Sequence, residues 1–336
     1  MVFFPCLLLI IKTNKGVINM NNLRKIGLSA LAGSLATFSV NAAEMSVSGA
    51  ASISFDDTNR GFGDRGNSFY MGDSIKFNAS GETDGGIGVA VYYEWDGQIL
   101  DDHKITLSGG FGSLVFDGHG GSSAFGAIDD KTPNAYEEAW DIIDTDGSGT
   151  AGSPTVINGV SANNMFIYTS PDMGGASFSA SYINGGGSDA APEGSTSFAV
   201  AYTGMEGLTI GAGVSDNEEG ESVTVDETTI YATYATGGFT IGVQSSDRDH
   251  TTAGSDLESI AYGITYAVND DMSIGYSYHE YETESTTDED QESTGISASY
   301  TMGGMTLAGA MNETDNMEGT ATQDFEGYEF TLSFAF

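Results

Sequence analysis

The end of the chain, from Tyr328 to Phe336, alternates strictly between two kinds of side chain. Aromatic residues and leucine occupy every second position, and glutamate, threonine, serine and alanine lie between them. A period of two is typical of a β-strand, whose successive side chains point to opposite faces, and not of a helix. Such a strand either buries its apolar face against a second sheet or turns it to lipid in a membrane barrel whose lumen is wet.

The N-terminal residues are expected to be removed rather than folded. Residues 20–42 begin with a short basic head, continue through an apolar run and end at a small-x-small cleavage site, 40–42. This is the pattern of a secretory signal peptide, and the run is shorter than the roughly 20 residues of a spanning helix. Residues 1–19 are interpreted as an over-called start, meaning that the start codon is assigned too far upstream; a genuine N-terminal extension is the alternative. The folded part is then 43–336.

The charge of the chain restricts its partners. It carries 10 basic and 48 acidic residues, for a formal net charge of −38. Nucleic acid is excluded as a partner because phosphate binding needs a high density of basic residues. The acidic excess is consistent with simple solubility, or with a surface or pore that attracts cations. The single cysteine, Cys6, lies in the part expected to be lost, so we expect no disulfide in the exported chain.

Alternating segments of strand length recur from Glu44 to the C-terminus. A transmembrane β-strand needs roughly 9–11 residues, and these segments fit that length. Short turns with Gly, Asn or Asp alternate with longer acidic connections, and a tyrosine precedes most short turns at intervals of 32 or 34 residues. Short turns at one end, long loops at the other and an aromatic girdle indicate an outer-membrane barrel. A soluble solenoid of hairpins is the alternative, but it would repeat more strictly in sequence.

Sixteen such segments can be placed, which predicts an all-β fold: an antiparallel transmembrane β-barrel around an aqueous channel. The strands are predicted near 44–56, 73–83, 87–95, 103–109, 112–118, 164–170, 176–184, 195–203, 208–216, 226–235, 239–246, 258–267, 272–282, 293–301, 305–313 and 325–336. The stretch of about 118–163 has no alternation, and a connection of this length is expected to be functional. Within it, Thr132-Pro133 predicts a helix start and residues 135–143 a short helix.

Four features carry a family resemblance: SIKFNASGETDGG at 74–86, ITLSGGFGSL at 105–114, NMFIYTS at 164–170 and the terminal Phe336. From residue 44 to its end the chain resembles the trimeric sixteen-stranded general diffusion porins of Gram-negative outer membranes, in particular the alphaproteobacterial type. The resemblance implies an outer-membrane location, passive size-limited diffusion of small hydrophilic solutes and ions, a homotrimer surrounded by outer-membrane lipid, and an assembly signal at Phe336. It also implies that the long third loop folds into the pore, with its acids opposite basic side chains of the wall.

Strand parity assigns residues to the predicted constriction. Ile75 and Phe77 around Lys76, and Ile105 and Leu107 after Lys104, are expected to face lipid. Both lysines are therefore expected to face the lumen and avoid a cost of roughly 2–4 kcal/mol at the lipid midplane. Arg60 and Arg65, in the first long loop, either hang inward or remain in solvent. The acids expected to oppose these bases belong to the long loop, where solvation of a surface loop is the alternative. They are Asp129, Asp130, Glu137, Glu138 and Asp141. Since acids are in excess, we expect cations to be preferred.

No cofactor is expected, with calcium as the one possible exception. Residues 144–150, DTDGSGT, copy the first half of a calcium loop, but position twelve is Thr155 and not glutamate. Asp144 and Asp146 are the ligands if calcium binds, and a flexible loop is the alternative. The rival functions are a substrate-specific channel and a hydrolase built into the barrel. For the hydrolase, strand parity leaves His279 as the one candidate base, and an enzyme is not expected.

Overall fold

The computed structural model describes residues 44–60, 68–97, 99–142, 156–184, 194–220, 223–252, 254–283 and 289–336. Several predicted features lie outside these ranges: the over-called start, the signal peptide, Arg65, and the calcium-like residues Asp144 and Asp146. Arg60 ends a described strand, but it is described by its backbone alone. What the sequence predicts for these residues stays a prediction.

Eighteen strands run through the described residues. They are β1 Glu44–Arg60, β2 Ser68–Glu82, β3 Gly88–Asp96, β4 Ile99–Gly109, β5 Gly112–His119, β6 Gly121–Ser122, β7 Ser161–Ala162, β8 Met165–Thr169, β9 Ala176–Ile183, β10 Gly194–Met205, β11 Leu208–Gly220, β12 Val223–Thr236, β13 Phe239–His250, β14 Leu257–Asn269, β15 Met272–Thr283, β16 Gln291–Met302, β17 Met305–Asp315 and β18 Phe325–Ala335. All but β6 and β7 form one closed antiparallel barrel, while β6 and β7 pair with each other. The predicted sixteen-stranded barrel is confirmed.

The barrel closes where its first strand meets its last. β1 pairs with β18, and Gly49 exchanges two backbone hydrogen bonds of 2.7 and 3.0 Å with the C-terminal Phe336. Inside the barrel, the hydroxyl oxygens of Ser54 and Thr331 lie 2.7 Å apart across this seam. Closure leaves the sheet without an unpaired edge, which removes the main aggregation hazard of strands with apolar faces. The role of Phe336 as an assembly signal stays a prediction.

The two faces of the barrel wall are chemically opposite. In β10, Phe198 and Val200 are 54% and 55% exposed, while Ser197 and Ala199 beside them are at 0% and 4%. Large apolar side chains therefore point away from the barrel, and small or polar ones point into it. A soluble protein hides such apolar side chains, whereas a membrane barrel presents them to lipid. This alternation favours the membrane barrel over a soluble sheet.

The strands extend further at their long-loop ends than the sequence predicts. β13 runs to His250 instead of residue 246, and β2 begins at Ser68 instead of residue 73. Residues 245–250 contain no apolar side chain, so alternation cannot mark them. Their backbone nevertheless continues to pair with β12 as far as His250 and Val225. Hydrogen bonds between strands need only backbone groups, so the sheet continues beyond the residues whose apolar side chains alternate.

The short helix predicted for residues 135–143 is wrong for the described part, 135–142, which forms turns and bends. Its amides find other acceptors: Ala135 N donates to Ser297 Oγ at 3.0 Å, and Glu138 N donates to Asp141 Oδ2 at 2.9 Å. These contacts hold the segment in turns and bends despite its helix-favouring start. Among the described residues, no helix is long and apolar enough to cross a membrane.

Candidate functional site

The connection between β5 and β8, residues 120–164, is called the inward loop. Its first arm lies against the inner face of the barrel. Ala124 N donates to Ser181 Oγ of β9 at 3.0 Å, and Phe125 N donates to Ser197 Oγ of β10 at 3.1 Å. Both serines point into the lumen and are buried. The loop therefore turns inward as soon as it leaves β5.

One glutamine of β13 holds the middle of the inward loop. Gln244 Nε2 donates to the carbonyl oxygens of Ile128 and Asp129 at 2.8 and 2.9 Å, and its Oε1 accepts from Lys131 N at 2.7 Å. The side chain is 4% exposed. Backbone groups away from water need partners, and an amide supplies both a donor and an acceptor. Gln244 therefore satisfies three backbone groups of the loop at once.

The far part of the loop reaches the last strands of the barrel. Asn312 Nδ2 of β17 donates to the carbonyl oxygen of Glu138 at 2.6 Å. The Tyr136 hydroxyl donates to Thr331 Oγ1 of β18 at 2.8 Å and also to the carboxylate of Glu329. The loop thus follows the inner wall from β9 to β18. This confirms the predicted inward fold of the third long loop.

Two neighbouring glycines form a slot for the loop. Gly242 of β13 and Gly263 of β14 are register partners, and both point into the lumen. A Cβ on Gly263 would lie 2.3 Å from Pro133 O, and one on Gly242 would lie 2.5 Å from Pro133 Cδ. Any larger residue would collide with the backbone or ring of the loop. The wall is therefore built with missing side chains where the loop passes.

Asp129 ties the two arms of the inward loop together. Its Oδ2 accepts a hydrogen bond of 2.7 Å from Gly159 N. Burial raises the pKa of Asp129 from its ordinary value to about 6, although the bond from Gly159 partly offsets this shift. The carboxylate is thus engaged within the loop itself.

The remaining predicted loop acids form one cluster. Carboxylate oxygens of Glu137, Glu138 and Asp141 lie within 4.8 Å of one another, and Asp130 hydrogen-bonds with Glu138. Burial raises the pKa of Glu137 to about 7, with the charge of Asp141 adding to the shift. Burial and the hydrogen bond to Asp141 also raise the pKa of Glu138 well above its ordinary value. Carboxylates this close cannot all ionise, so the cluster retains protons near neutral pH.

The two predicted lumen lysines lie on β2 and β4, away from the strands β9 to β18 that bond the middle and far parts of the inward loop. Lys76 Nζ of β2 is 3.2 Å from Glu94 Oε1 of β3. Lys104 Nζ of β4 is 4.0 Å from Asp117 Oδ2 of β5 and 5.0 Å from the ring centroid of Tyr92. The acid beside each lysine is therefore on an adjacent strand of the wall. That these lysines and the loop acids set the narrowest part of the pore stays a prediction.

The wall acids Glu94 and Asp117 were not predicted as lumen residues, although their strand parity marks them as such. Glu94 lies between Tyr93 and Trp95, which point outward and are 40% and 43% exposed, and Asp117 follows the outward Phe116. The parity that turns the lysines inward turns these acids inward as well. Their pairing with lysine needs the strand register, which the sequence does not reveal.

A further ion pair lies on the loop-covered wall. Arg248 Nε of β13 is 3.8 Å from Glu227 Oε1 of β12, and Asn217 Nδ2 of β11 donates to Glu227 Oε2 at 3.0 Å. Glu227 is 4% exposed. Here too, a lumen base is matched by an acid of the next strand.

Two groups among the described residues have the donors to hold a metal ion. One is Asp101, Asp102 and His119 near the root of the inward loop, and the other is the cluster of Glu137, Glu138 and Asp141. In each group the candidate ligand atoms lie within 4.8 Å of one another. Carboxylate oxygens alone suit calcium or magnesium, and the set with histidine suits a transition metal.

The sequence profile of the Gram-negative porin family matches residues 27–319 of this chain. Among curated proteins, no sequence matches. An anion-selective porin from Comamonas acidovorans is 16% identical in sequence, with a TM-score of 0.66 over 88% of this chain and 100% of that chain. OmpT, an outer membrane protein of Vibrio cholerae, is 14% identical, with a TM-score of 0.65 over 89% of this chain and 99% of that one.

A mutant of the Rh. blastica porin is 14% identical, with a TM-score of 0.60 over 87% of this chain and 100% of that chain. At such identities the structural likeness shows a common fold, and the family match shows kinship over most of the chain. Both agree with a closed sixteen-stranded barrel that is apolar outside and contains an inward loop. This chain therefore belongs to the Gram-negative porin family and is an outer-membrane channel for passive diffusion of small hydrophilic solutes.

Proposed function

We propose that this porin prefers cations among the small hydrophilic solutes that it passes. The observation that supports this most directly is the distribution of charge in the lumen. Lys76 and Lys104 lie beside wall acids, whereas the loop acids cluster with one another. A narrow wet passage with an excess of acids has a negative potential, which favours cations over anions. Because the cluster retains protons near neutral pH, this preference varies with pH.

Reversal potentials in planar bilayers under a KCl gradient test the preference. We expect a potential of the sign given by faster passage of potassium. A potential of zero, or of the chloride sign, contradicts the proposal. The Comamonas acidovorans porin, described as anion-selective, shares the fold and supplies a comparison of opposite sign.

We propose a size-limited sieve and not a channel for one substrate. Two lumen tyrosines of the described residues are already engaged: Tyr92 carries the Lys104 ammonium over its ring, and the Tyr136 hydroxyl bonds to β18. Liposome swelling with neutral sugars of increasing mass distinguishes the two channels. A sieve gives rates that fall smoothly with mass, whereas a specific channel passes one sugar far faster than others of its size.

We propose that the barrel carries no hydrolase activity. His279, the candidate base, is 3% exposed, and its ring centroid lies 4.7 Å from that of Trp140 in the inward loop. A general base must reach the proton that it removes, and this ring is covered by the loop. Peptide and phospholipid hydrolysis assays test the proposal. Any turnover by the purified barrel would contradict it, and loss of that turnover in His279→Ala would assign the activity to this ring.

We propose that the protein assembles as a homotrimer. The resemblance to trimeric porins suggests it, and the outward face of β3 to β5 supports it. His103 shares that face with Tyr93, its register partner, and the two rings lie 5.9 Å apart. His103 also stacks on His119, at a centroid distance of 6.3 Å. Imidazole rings on an outward face suit contact with a second protein surface better than contact with lipid.

Native mass spectrometry in detergent tests the assembly. A trimer, together with conductance that appears in groups of three equal steps, is the expected result. A monomer that inserts single steps would contradict the proposal without affecting the assignment of the fold.

A further inference from the structure

We propose that Glu94 and Asp117 set the ionic selectivity of this porin by neutralising the two lysines of its lumen wall. This inference rests on the proposed cation preference and names the residues that produce it. Without these acids, Lys76 and Lys104 would give one side of the lumen a positive surface. With them, the same wall has no excess of positive charge.

Strand register places acids and bases in two rows across this wall. In one row, Lys76 of β2 lies opposite Glu94 of β3, which lies opposite Asp102 of β4. In the next row, Lys104 of β4 lies opposite Asp117 of β5. Directly opposed positions on one face are close enough for side chains to interact. Each lysine therefore has an acid at the next inward position of its row.

The contacts within the rows hold the acids in place. Glu94 accepts a hydrogen bond from the Tyr92 hydroxyl and lies 3.2 Å from Lys76 Nζ. The same tyrosine ring carries Lys104 Nζ above it at 5.0 Å, and that ammonium is 4.0 Å from Asp117. One connected series therefore runs Lys76, Glu94, Tyr92, Lys104, Asp117.

Exposure differs between the two members of each pair. The lysine side chains are 41% and 37% exposed, while Glu94 and Asp117 are 12% and 5% exposed. An ion in the lumen therefore meets each ammonium with a carboxylate fixed close to it. The field of such a pair falls off faster with distance than that of a lone charge. The lysine of each pair is solvated, so neutralising the acid leaves no buried charge without a partner and should change the field more than the fold.

Glu94→Gln and Asp117→Asn test the inference, because both keep the shape of the side chain and remove its charge. We expect each variant to lower the potassium-to-chloride permeability ratio by about twofold, the effect of one unbalanced charge roughly 10 Å from the ion path. The matched control is Asp84→Asn, in an exposed short turn, which changes the net charge equally but lies away from these rows. The control should leave the ratio unchanged.

Together with Glu94→Gln, the variants Lys76→Gln and K76Q/E94Q complete a double-mutant cycle. Lys76→Gln should raise the ratio, because it leaves the Glu94 carboxylate unopposed, and the double variant should return it near the wild-type value. If Glu94→Gln fails to fold, Lys76→Gln still tests the pair. Variants that conduct normally with unchanged ratios would overturn the inference. A wild-type preference for chloride would refute the proposed function, whereas the shifts between wild type and variants would still test the neutralisation.

Discussion

The wall formed by β9 to β18 and the wall formed by β2 to β5 belong to the same barrel sheet, but their inner surfaces differ. The first offers glycines and hydrogen-bonding side chains such as Gln244 and Ser297, and the inward loop lies on it. The second presents Lys76 and Lys104 with their neighbouring acids. Alternation alone decides which side chains point inward. The size and hydrogen-bonding groups of those side chains decide whether a wall holds the loop or faces the solute.

The bonding groups of the first wall also account for the turns and bends at residues 135–142, where a helix is predicted. The loop-bearing wall supplies acceptors to loop amides, as Ser297 does for Ala135. A helix over residues 135–143 would turn the Glu138 carbonyl along the helix axis, away from Asn312 Nδ2, which now donates to it. Tertiary hydrogen bonds therefore override the local preference.

The largest expected effect comes from filling the slot on the loop-bearing wall. Gly263→Val places a side chain where Pro133 O would be 2.3 Å from Cβ, so the loop must move off the wall. Overpacking of this kind costs up to about 3 kcal/mol. We expect a higher single-channel conductance and a lower unfolding temperature. The control is Gly110→Val, since a Cβ on Gly110 would have no other atom within 4 Å. Unchanged conductance in Gly263→Val would show that the glycines of this wall do not position the inward loop.

The strands and the lumen side of the lysines could be predicted from the sequence, because a lipid-facing strand must alternate. Alternation places Ile75 and Phe77 outside, and hence Lys76 inside. It fails near His250, where residues 245–250 have no apolar side chain. At the other missed end, near Ser68, Phe69 and Met71 still alternate outward, and the predicted strand starts too late. It also cannot pair residues across strands, so the match of Lys76 with Glu94 required the register. Loop anchoring is likewise invisible, because a glutamine or glycine at an inward position has no periodic signature.

Gln244→Glu is expected to have the next largest effect. The change keeps the acceptor for Lys131 N but removes the donor to the carbonyls of Ile128 and Asp129. Losing two hydrogen bonds costs about 2 kcal/mol of loop docking. Noisier single-channel currents and a lower unfolding temperature are the readouts. Gln323→Glu, outside the barrel strands, makes the same chemical change as a control. If the single-channel currents of Gln244→Glu are no noisier than those of the wild type, the wall does not hold the loop through this residue.

Acidification should weaken the cation preference by protonating the inward loop. Burial raises the pKa of Glu137 from 4.5 to about 7 and that of Asp129 from 3.8 to about 6. The folded loop therefore binds protons that the unfolded chain has already released, and docking loses stability as pH rises from about 4.5 to about 7. Between about pH 8 and about pH 5 the inward loop loses negative charge, and the potassium-to-chloride ratio should fall.

Reversal potentials at the two pH values measure this change, and thermal unfolding measures the accompanying gain in stability at the lower pH. Glu137→Gln should flatten both dependences. Glu82→Gln, at the exposed short-turn end of β2, should not. We expect a smaller change in stability than for Gln244→Glu, because water around the partly hydrated cluster screens its charges. Selectivity that stays constant between the two pH values would place the loop acids away from the ion path.

The smallest expected effect concerns the point where the loop meets the seam of the barrel. Tyr136→Phe removes a hydroxyl that donates to Thr331 and Glu329 of β18, at a cost of about 1 kcal/mol. Its control is Tyr276→Phe on the outward face, where the ring is 41% exposed. Combining Tyr136→Phe with Thr331→Val in a double-mutant cycle isolates the contact, because Thr331 also bonds Ser54 of β1. If the two substitutions add without coupling, the contact with Thr331 does not hold the loop end, and only the bond to Glu329 would tie it to β18.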